Sequence, residues 1–264
     1  MDILKQQLAP VSGEAWEEIK SEAKRFLTSH LSARKFIEVS EPKGWDYAAV
    51  PSGRLYIPGK QNNKGVVYGI HKVQPLIEPR IMFTLDTWEL DNLTRGAKDI
   101  DLGAMEEAAI KLAEFEDTTI YYGLAEASVT GLRDCNTEQK LEFPDQIDDI
   151  LSVVSMGITS LSDSAVNGPY SLIVSPDKWQ KISAHFMGYP LKFQLEQLLG
   201  GQVILSHFIK ESFLVPAKAS ELNLILGQDI SIGYESHSER EVQLFFTESF
   251  TLQIHDPATI IMIE

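Results

Sequence analysis

The sequence lacks the features of several common protein classes. Its 264 residues include one cysteine, Cys135, so neither an intrachain disulfide nor a cysteine-rich zinc site can form. No apolar run reaches the roughly 18 residues that span a membrane. The first residues lack the basic-then-apolar order of a secretory signal. These absences favour a globular protein of the reducing cytoplasm.

Positive charge is also scarce. The chain has 23 Lys and Arg residues against 38 Asp and Glu residues, a formal net charge of −15. Binding to a phosphate backbone depends on Lys and Arg side chains that displace counterions, and anionic membranes attract basic segments. We therefore expect neither nucleic acid nor a membrane among the partners.

Motifs that carry chemistry are missing as well. The six histidines lie at least 18 positions apart, so no closely spaced histidine pair of a zinc enzyme occurs. No nucleophile elbow, phosphate-binding loop or dinucleotide fingerprint is present. We expect no catalytic residue and no metal site. An acidic cluster on one predicted helix is interpreted as a solvated face: Glu106, Glu107, Glu114, Glu116 and Asp117.

Apolar spacing predicts a mixture of helices and strands. Helices are predicted over residues 12–31, 101–122 and 145–161, and a strand over Tyr170–Val174. The segment from Asp86 to Glu89 has the form of a capping box and opens a short helix that ends at Gly96. Strand patterns dominate from Leu222 onward. Because helices and strands do not alternate regularly, the fold class is α+β and not a doubly wound sheet.

One predicted hairpin has no helix near it in the sequence that could pack against it. The pattern predicts two strands, over residues 47–57 and 66–73, on either side of a turn-rich segment over 59–65. A two-stranded hairpin is marginally stable alone in water. The hairpin therefore lies either on another subunit or on its own domain, and the pattern leaves both open.

An aromatic residue offers one candidate cofactor site. Trp88 lies just inside a predicted helix start and Arg80 in the strand before it. Together they could hold a planar ligand such as a flavin, whereas the alternative is a tryptophan packed in the core.

Several segments carry a resemblance to a known family. The sequence resembles the family 1 encapsulins, shell proteins of microbial nanocompartments once labelled linocin-type bacteriocins with proteolytic activity. The similarity covers the chain from end to end. The segments are 8–10 (LAP), 16–19 (WEEI), 33–39 (ARKFIEV), 44–49 (GWDYAA), 83–93 (FTLDTWELDNL), 113–117 (AEFED), 168–170 (GPY), 226–235 (LGQDISIGYE) and 247–251 (TESFT).

The resemblance implies the major capsid fold of tailed phages, of the Hong Kong ninety-seven type. It implies an N-terminal helix and the start of a peripheral domain over 1–47, an extended loop over 48–72 and a peripheral domain with a spine helix over 73–143. An axial domain over 144–217 and further peripheral strands over 218–264 would follow. In this scheme the predicted hairpin is the extended loop, lying on a neighbouring copy.

The resemblance also implies a function. The chain would be one of about 60 copies in an icosahedral shell. The shell would enclose a cargo enzyme, either a ferritin-like iron oxidase for iron storage or a dye-decolourising peroxidase, with small molecules and ions entering through pores. It requires no cofactor of its own, although a flavin could bind.

Residue roles follow from the same resemblance. A C-terminal targeting peptide of the cargo would dock in a groove beside the N-terminal helix, at Leu27, Arg34, Glu38 and Ile230. The five-fold pore loop would comprise His185, Phe186, Met187, Gly188 and Tyr189. The N-terminal helix has a broad apolar side, formed by Trp16, Phe26, Leu27 and Leu31. A second interpretation is that this side only packs on the spine helix and binds no peptide.

Two other functions are weighed against the shell for a cargo enzyme. One is a phage-derived capsid that packages nucleic acid, which the acidic balance disfavours. The other is a bacteriocin or protease, for which the sequence offers no nucleophile or metal motif.

Overall fold

The computed structural model of this chain describes residues 2–59, 65–135 and 140–264. The helices are α1 Gly13–His30, α2 Thr87–Thr94, α3 Gly103–Tyr122, α4 Leu132–Cys135, α5 Ile150–Asp163, α6 Pro176–Ala184 and α7 Leu191–Leu199. The strands are β1 Ile37–Val39, β2 Ala49–Tyr56, β3 Ile70–Pro75, β4 Arg80–Asp86, β5 Lys140–Leu141, β6 Tyr170–Val174, β7 Phe186–Met187, β8 Tyr189–Pro190, β9 Val203–Leu205, β10 Ser212–Pro216, β11 Ala219–His237, β12 Glu241–Ile254 and β13 Ile261–Ile263.

The first sheet has four strands in the order β1-β11-β12-β4. Its centre is the long antiparallel pair β11 and β12, with β1 parallel to β11 and β4 antiparallel to β12. Apolar side chains from one face of this sheet pack against α1 and α3 in one continuous core. The strand pattern predicted from Leu222 onward is confirmed, and it starts slightly earlier, at β11.

The two long predicted helices are confirmed with slightly shorter bounds. At the start of α1, Ser12 Oγ accepts a hydrogen bond from the backbone N–H of Ala15 at 3.2 Å, which satisfies a free helix donor. Helix α3 ends at Gly123, whose φ is +81°, and a Cβ there would lie 2.5 Å from the carbonyl oxygen of Val129. Only glycine fits this turn. Helix α3 occupies the segment in which the resemblance implies the spine helix.

The predicted capping box is half formed. Asp86 Oδ1 accepts hydrogen bonds from the backbone N–H groups of Trp88 at 2.7 Å and Glu89 at 3.1 Å. The Glu89 carboxylate does not complete the motif, because it bonds to Asn92 and to the backbone N–H of Asp101. It therefore anchors the connection between α2 and α3.

The second sheet has five strands in the order β5-β13-β10-β6-β9. One face packs on α5, α6 and α7. The predicted helix over 145–161 is confirmed in part, since residues 147–149 form a tighter 3-10 turn and α5 begins at Ile150. The predicted strand Tyr170–Val174 is β6, and all five of its residues are buried.

Two strands from distant parts of the chain complete the second sheet. β5 lies within the segment 73–143 and β13 within the segment 218–264, and both belong to the second sheet. β13 pairs antiparallel with β10 and parallel with β5. Burial of its apolar side chains explains the position of β13. Ile261 and Ile263 fill the core under α5, while Met262 points into the core between the two sheets.

Side chains on the two faces of the second sheet belong to two different cores. In β6, Leu172 and Val174 face the helices, while Ile173 faces the other way into a core shared with β11 and β12. Both faces of β6 are therefore buried, and the α+β fold class is confirmed. No helix within the described residues is long and apolar enough to cross a membrane.

The predicted hairpin is confirmed as the antiparallel pair β2 and β3. Residues 60–64, which make up most of its predicted turn, lie outside the described residues. The hairpin forms a two-stranded sheet of its own, and its outer part carries exposed apolar side chains.

Candidate functional site: the groove beside the first helix

A cavity of about 580 Å³ lies between α1 and the middle of β11. Register shifts in β11 on both sides of Gln228 bend the strand, so that Asp229, Ile230 and Ser231 bulge toward the helix. The floor is mainly apolar and is formed by Ala23, Leu27, Leu31, Ile230, Ile232 and Phe246. This combination of a helix face and a bulged strand makes an elongated, apolar groove.

Three of the four residues assigned to docking line this groove. Leu27, Arg34 and Ile230 come together from α1, the 3-10 turn after it and β11. Glu38 does not line it. Side chains alternate along a strand, so the burial of Ile37 in β1 places Glu38 on the exposed side.

Sequence reasoning missed the polar side chains contributed to the groove by three lysines and one glutamine. Lys20, Lys24, Lys35 and Gln6 stand at the groove, although the chain as a whole is strongly acidic. The helical spacing of Lys20, Lys24 and Leu27 would have placed them on one face of α1.

The apolar arc of α1 serves the core as well as the groove. Trp16, Leu27 and Leu31 are buried in the core that includes α3, and Phe26 packs partly against it. Leu27 also contributes to the groove. Packing on the spine helix and lining a groove are therefore both properties of this helix.

Arg34 stands at one end of the groove with its guanidinium group fully engaged. Nε donates to both carboxylate oxygens of Glu116 at 2.9 Å, Nη1 donates to Asp229 Oδ1 at 2.7 Å, and Nη2 donates to Glu248 Oε2 at 3.0 Å. Burial alone would lower the pKa of Arg34, but Glu116, Glu248 and Asp229 raise it above its ordinary value. Its charge is neutralised within the fold.

The carboxyl group of Glu248 is completely buried in the same cluster. Burial, and then the neighbouring charge of Glu116, raise the pKa of Glu248 well above its ordinary value, and Arg34 only partly opposes this. Glu248 therefore keeps a proton at pH values where a glutamate is usually ionised. An acid within the apolar pattern of β12 was the sequence signal for this cluster.

Asp117 is buried beside this cluster. Its carboxylate accepts hydrogen bonds from Ser32 N at 3.0 Å, Ser32 Oγ at 2.6 Å and Ala33 N at 3.1 Å, and so holds the chain after α1 against α3. Burial raises the pKa of Asp117 to about 7, although these hydrogen bonds oppose the shift. The predicted solvated face is therefore wrong for Glu116 and Asp117, because α1 and the two long strands cover that side of α3.

The residues assigned to the five-fold pore follow α6. Phe186–Met187 and Tyr189–Pro190 form a small hairpin, and Gly188 between them has a φ of +77°, as a tight turn requires. His185 Nε2 lies 2.5 Å from Asp148 Oδ1, which ties the base of this hairpin to the turn before α5. Tyr189 is 68% exposed.

The structure separates the two residues assigned to a flavin. Arg80 begins β4 and Trp88 follows the other end of the strand, so about 20 Å of chain lies between them. The Arg80 guanidinium carbon lies 4.2 Å from the ring centre of Phe245. Trp88 is 66% exposed, so the alternative of a packed tryptophan is wrong in the isolated chain. Binding of a flavin to Trp88 stays a prediction, but Arg80 is too far along the strand to contact the same flavin in one chain.

Two further candidates for chemistry are groups of metal-ligating side chains and the thiol of Cys135. In residues 2–59, 65–135 and 140–264, no group of three or more His, Cys, Asp or Glu side chains is arranged to hold a metal ion. The thiol of Cys135 is half-buried, and burial raises its pKa to about 11, so it is a poor nucleophile at neutral pH.

The fold is that of capsid proteins. It matches a virus-like particle of Pyrococcus furiosus with a TM-score of 0.68 at 18% identity, covering 94% of this chain and 99% of that one. It also matches the capsid of Myoviridae phage XM1 with a TM-score of 0.52 at 9% identity, covering 88% and 90% of the two chains. The expected tailed-phage capsid fold is confirmed.

Sequence comparison defines the family within this class. The model of the family described as encapsulating protein for peroxidase matches residues 1–251. The type 1 encapsulin shell protein of Rhodococcus erythropolis strain PR4 is 37% identical over 264 residues, which cover 99% of each chain. The chain belongs to the encapsulin shell protein family, which confirms the resemblance found in the sequence.

Proposed function

We propose that this protein is the subunit of a closed icosahedral shell of about 60 copies that encloses a cargo enzyme in the cytoplasm and catalyses no reaction itself. The observation that carries the proposal is the hairpin of β2 and β3. This arm carries apolar side chains that the single chain leaves exposed, which supports burial against another copy.

The hairpin exposes many apolar side chains. Val67 is 78% exposed and Val66 is 64% exposed. Other apolar side chains of the arm are also exposed: Leu55, Tyr56, Ile57, Tyr68, Ile70 and Val73. Contiguous apolar patches of this kind mark sites of association. A second copy of the same chain, which buries the arm, supplies the partner that a shell requires.

The groove beside α1 suits a short peptide at the end of a cargo protein. Each leucine-sized anchor buried on its apolar floor contributes roughly 1.5–3 kcal/mol. Two or three anchors would offset the ordering of a flexible tail, and many grooves on one wall would add avidity for an oligomeric cargo. Because Arg34 is neutralised within the fold, the lysines of the groove are the charges left to meet the peptide.

The proposed cargo is a peroxidase or a ferritin-like iron oxidase. The description of the matched family names a peroxidase, which supports the first choice. Substrates of either enzyme would enter through pores, one of them lined by residues 185–189. The alternative is a capsid for nucleic acid. About 60 copies at a net charge of −15 give a formal shell charge of about −900, which disfavours packaging of a polyanion.

Electron microscopy of the purified protein tests the assembly. Uniform hollow particles roughly 200–250 Å across are expected for about 60 subunits of this mass. Purification with co-expressed candidate cargo, followed by mass spectrometry of the particles, tests what they enclose. A monodisperse monomer or dimer in light scattering would contradict the proposed shell.

A further inference from the structure

We propose that His30 and His207 together bind a divalent transition-metal ion of borderline softness, such as Ni²⁺, Cu²⁺ or Zn²⁺. His30 is the last residue of α1, and His207 lies in the segment between β9 and β10. The two are far apart in the sequence, which is why a search for closely spaced histidines predicted no metal site.

The distance between the rings fits one shared ion. Their centroids lie 5.1 Å apart, and their planes are inclined by 37°. Metal–nitrogen bonds to histidine are about 2.0–2.1 Å long. With a near-tetrahedral angle at the ion, such bonds place two imidazole centres about 5 Å apart. The separation of the two rings therefore matches that of two imidazoles bound to one ion.

The hydrogen bonds of His30 leave one ring nitrogen free for a metal. His30 Nδ1 lies 2.8 Å from the carbonyl oxygen of Phe26. A carbonyl oxygen only accepts hydrogen bonds, so Nδ1 carries the proton, and the lone pair of the neutral ring lies on Nε2. Ser29 Oγ lies 2.9 Å from the same nitrogen and donates to the same carbonyl. Metal-binding histidines are oriented by such a bond from the second ring nitrogen.

Aromatic neighbours hold both rings in place. Phe26 stacks on His30 with centroids 6.2 Å apart and planes inclined by 5°. Phe208 contacts both histidines, with its centroid 6.3 Å from that of His30 and 6.2 Å from that of His207. His207 follows the buried residue Ser206, so its backbone is anchored as well. These contacts lower the cost of ordering the two ligands.

The ligand set selects the kind of ion. Imidazole suits Zn²⁺, Cu²⁺ and Ni²⁺, whereas Mg²⁺ and Ca²⁺ prefer oxygen ligands. His207 is exposed to solvent, so water can complete the coordination. A bound ion would link the end of α1 to the segment between two strands of the second sheet. It would therefore stabilise the folded chain, and the effect would grow with the logarithm of the free ion concentration above Kd.

Titration of the full-length protein without an affinity tag tests the proposal. We expect Ni²⁺ to bind at one site per chain by calorimetry, and Mg²⁺ in excess not to compete. H30Q and H207Q each remove one of the two ligands and should weaken Ni²⁺ binding by about tenfold or more, since even the loss of a group that only orients a ligand typically costs that much. H255Q removes an exposed histidine elsewhere and should leave the affinity unchanged. Equal affinities in all four proteins would overturn the proposal.

A spectroscopic measurement covers the case of a variant that folds poorly. Electron paramagnetic resonance of the wild-type protein with a substoichiometric amount of Cu²⁺ should report two coordinating imidazole nitrogens. H207Q, which changes an exposed side chain, should report one. A wild-type spectrum with fewer than two imidazole ligands, or an unchanged spectrum in H207Q, would contradict the two-histidine site.

Discussion

Arg34 forms an ion pair with the buried carboxylate of Glu116, in which the guanidinium Nε lies 2.9 Å from both carboxylate oxygens. The pair connects the turn after α1 to the spine helix α3. Through Asp229 and Glu248 it also reaches both long strands of the first sheet. The wall of the groove and the core of the protein are therefore held by the same side chain.

Replacement of Arg34 should destabilise the protein strongly. In R34M the buried carboxylate of Glu116 loses its counter-ion, and losses of about 3–5 kcal/mol in the free energy of unfolding are typical of such sites. Denaturant titration measures the change. R25M is the matched control, since Arg25 pairs with Glu22 at the surface, and it should show no clear loss. Similar midpoints for both variants would contradict the structural role of Arg34.

Replacement of Glu248 by glutamine should flatten the dependence of stability on pH. The pKa of Glu248 is raised in the folded protein, so its contribution to stability is fully present below about pH 4.5 and is lost as the pH rises toward the folded pKa. Glutamine is uncharged and can still accept from Arg34. We expect E248Q to lose less stability than the wild type as the pH rises above about 5. E107Q, at an exposed pair with Lys111, should leave the slope unchanged.

Asp117 should titrate near neutral pH in the folded protein. Its pKa rises from 3.8 to about 7, so the stability that depends on its proton is present below about pH 4 and lost as the pH approaches about 7. Infrared difference spectra with isotope-labelled aspartate can follow the carboxyl band. The band that disappears near pH 7 should be missing in D117N. Complete ionisation of all aspartates by about pH 5 would contradict this assignment.

Aspartate in the groove should abolish cargo loading. In the double variant L27D/I230D, two charges replace apolar side chains of the groove floor, so the anchors of a peptide lose the contact that binds them. Co-expression with cargo followed by electron microscopy should show intact but empty shells. E38Q is the control, because Glu38 lies outside the groove, and it should load normally. Normal loading of the double variant would place docking elsewhere.

A charge on the hairpin should prevent assembly without unfolding the chain. V67D changes a residue that is 78% exposed in the single chain but buried in the proposed contact between copies. We expect size-exclusion chromatography to show small folded species instead of shells. K72Q changes a polar residue of the same hairpin and should assemble. Unaltered shells in V67D would show that this part of the arm faces solvent.

Much of the secondary structure was predictable because it depends on local pattern. The spacing of apolar residues in α1 and α3, the glycine after α3 and the serine cap of α1 each act over a few residues. The long strands of the first sheet followed from alternation in the same way. The capping box failed in part because Glu89 bonds instead to the backbone N–H of Asp101, which the folded connection between α2 and α3 brings close.

The groove could be placed from family resemblance, but its electrostatics could not. Glu116 and Asp117 have the composition of a solvated helix face, and only the packing of α1 and the first sheet buries them. Once they are buried, each carboxyl group needs a hydrogen-bond partner or a proton. The fold supplies Arg34 to one and Ser32 to the other.

By itself the sequence determined the family, the α+β class, the main elements and the acidic net charge, since all of these follow from composition, local periodicity and long matching segments. Tertiary structure decided which distant side chains meet. It committed Arg34 to the core, moved Glu38 out of the groove, separated Arg80 from Trp88 and brought His30 beside His207. The physical reason is that a side chain's partners depend on the register of strands and the packing of helices, which the linear spacing of residues does not contain.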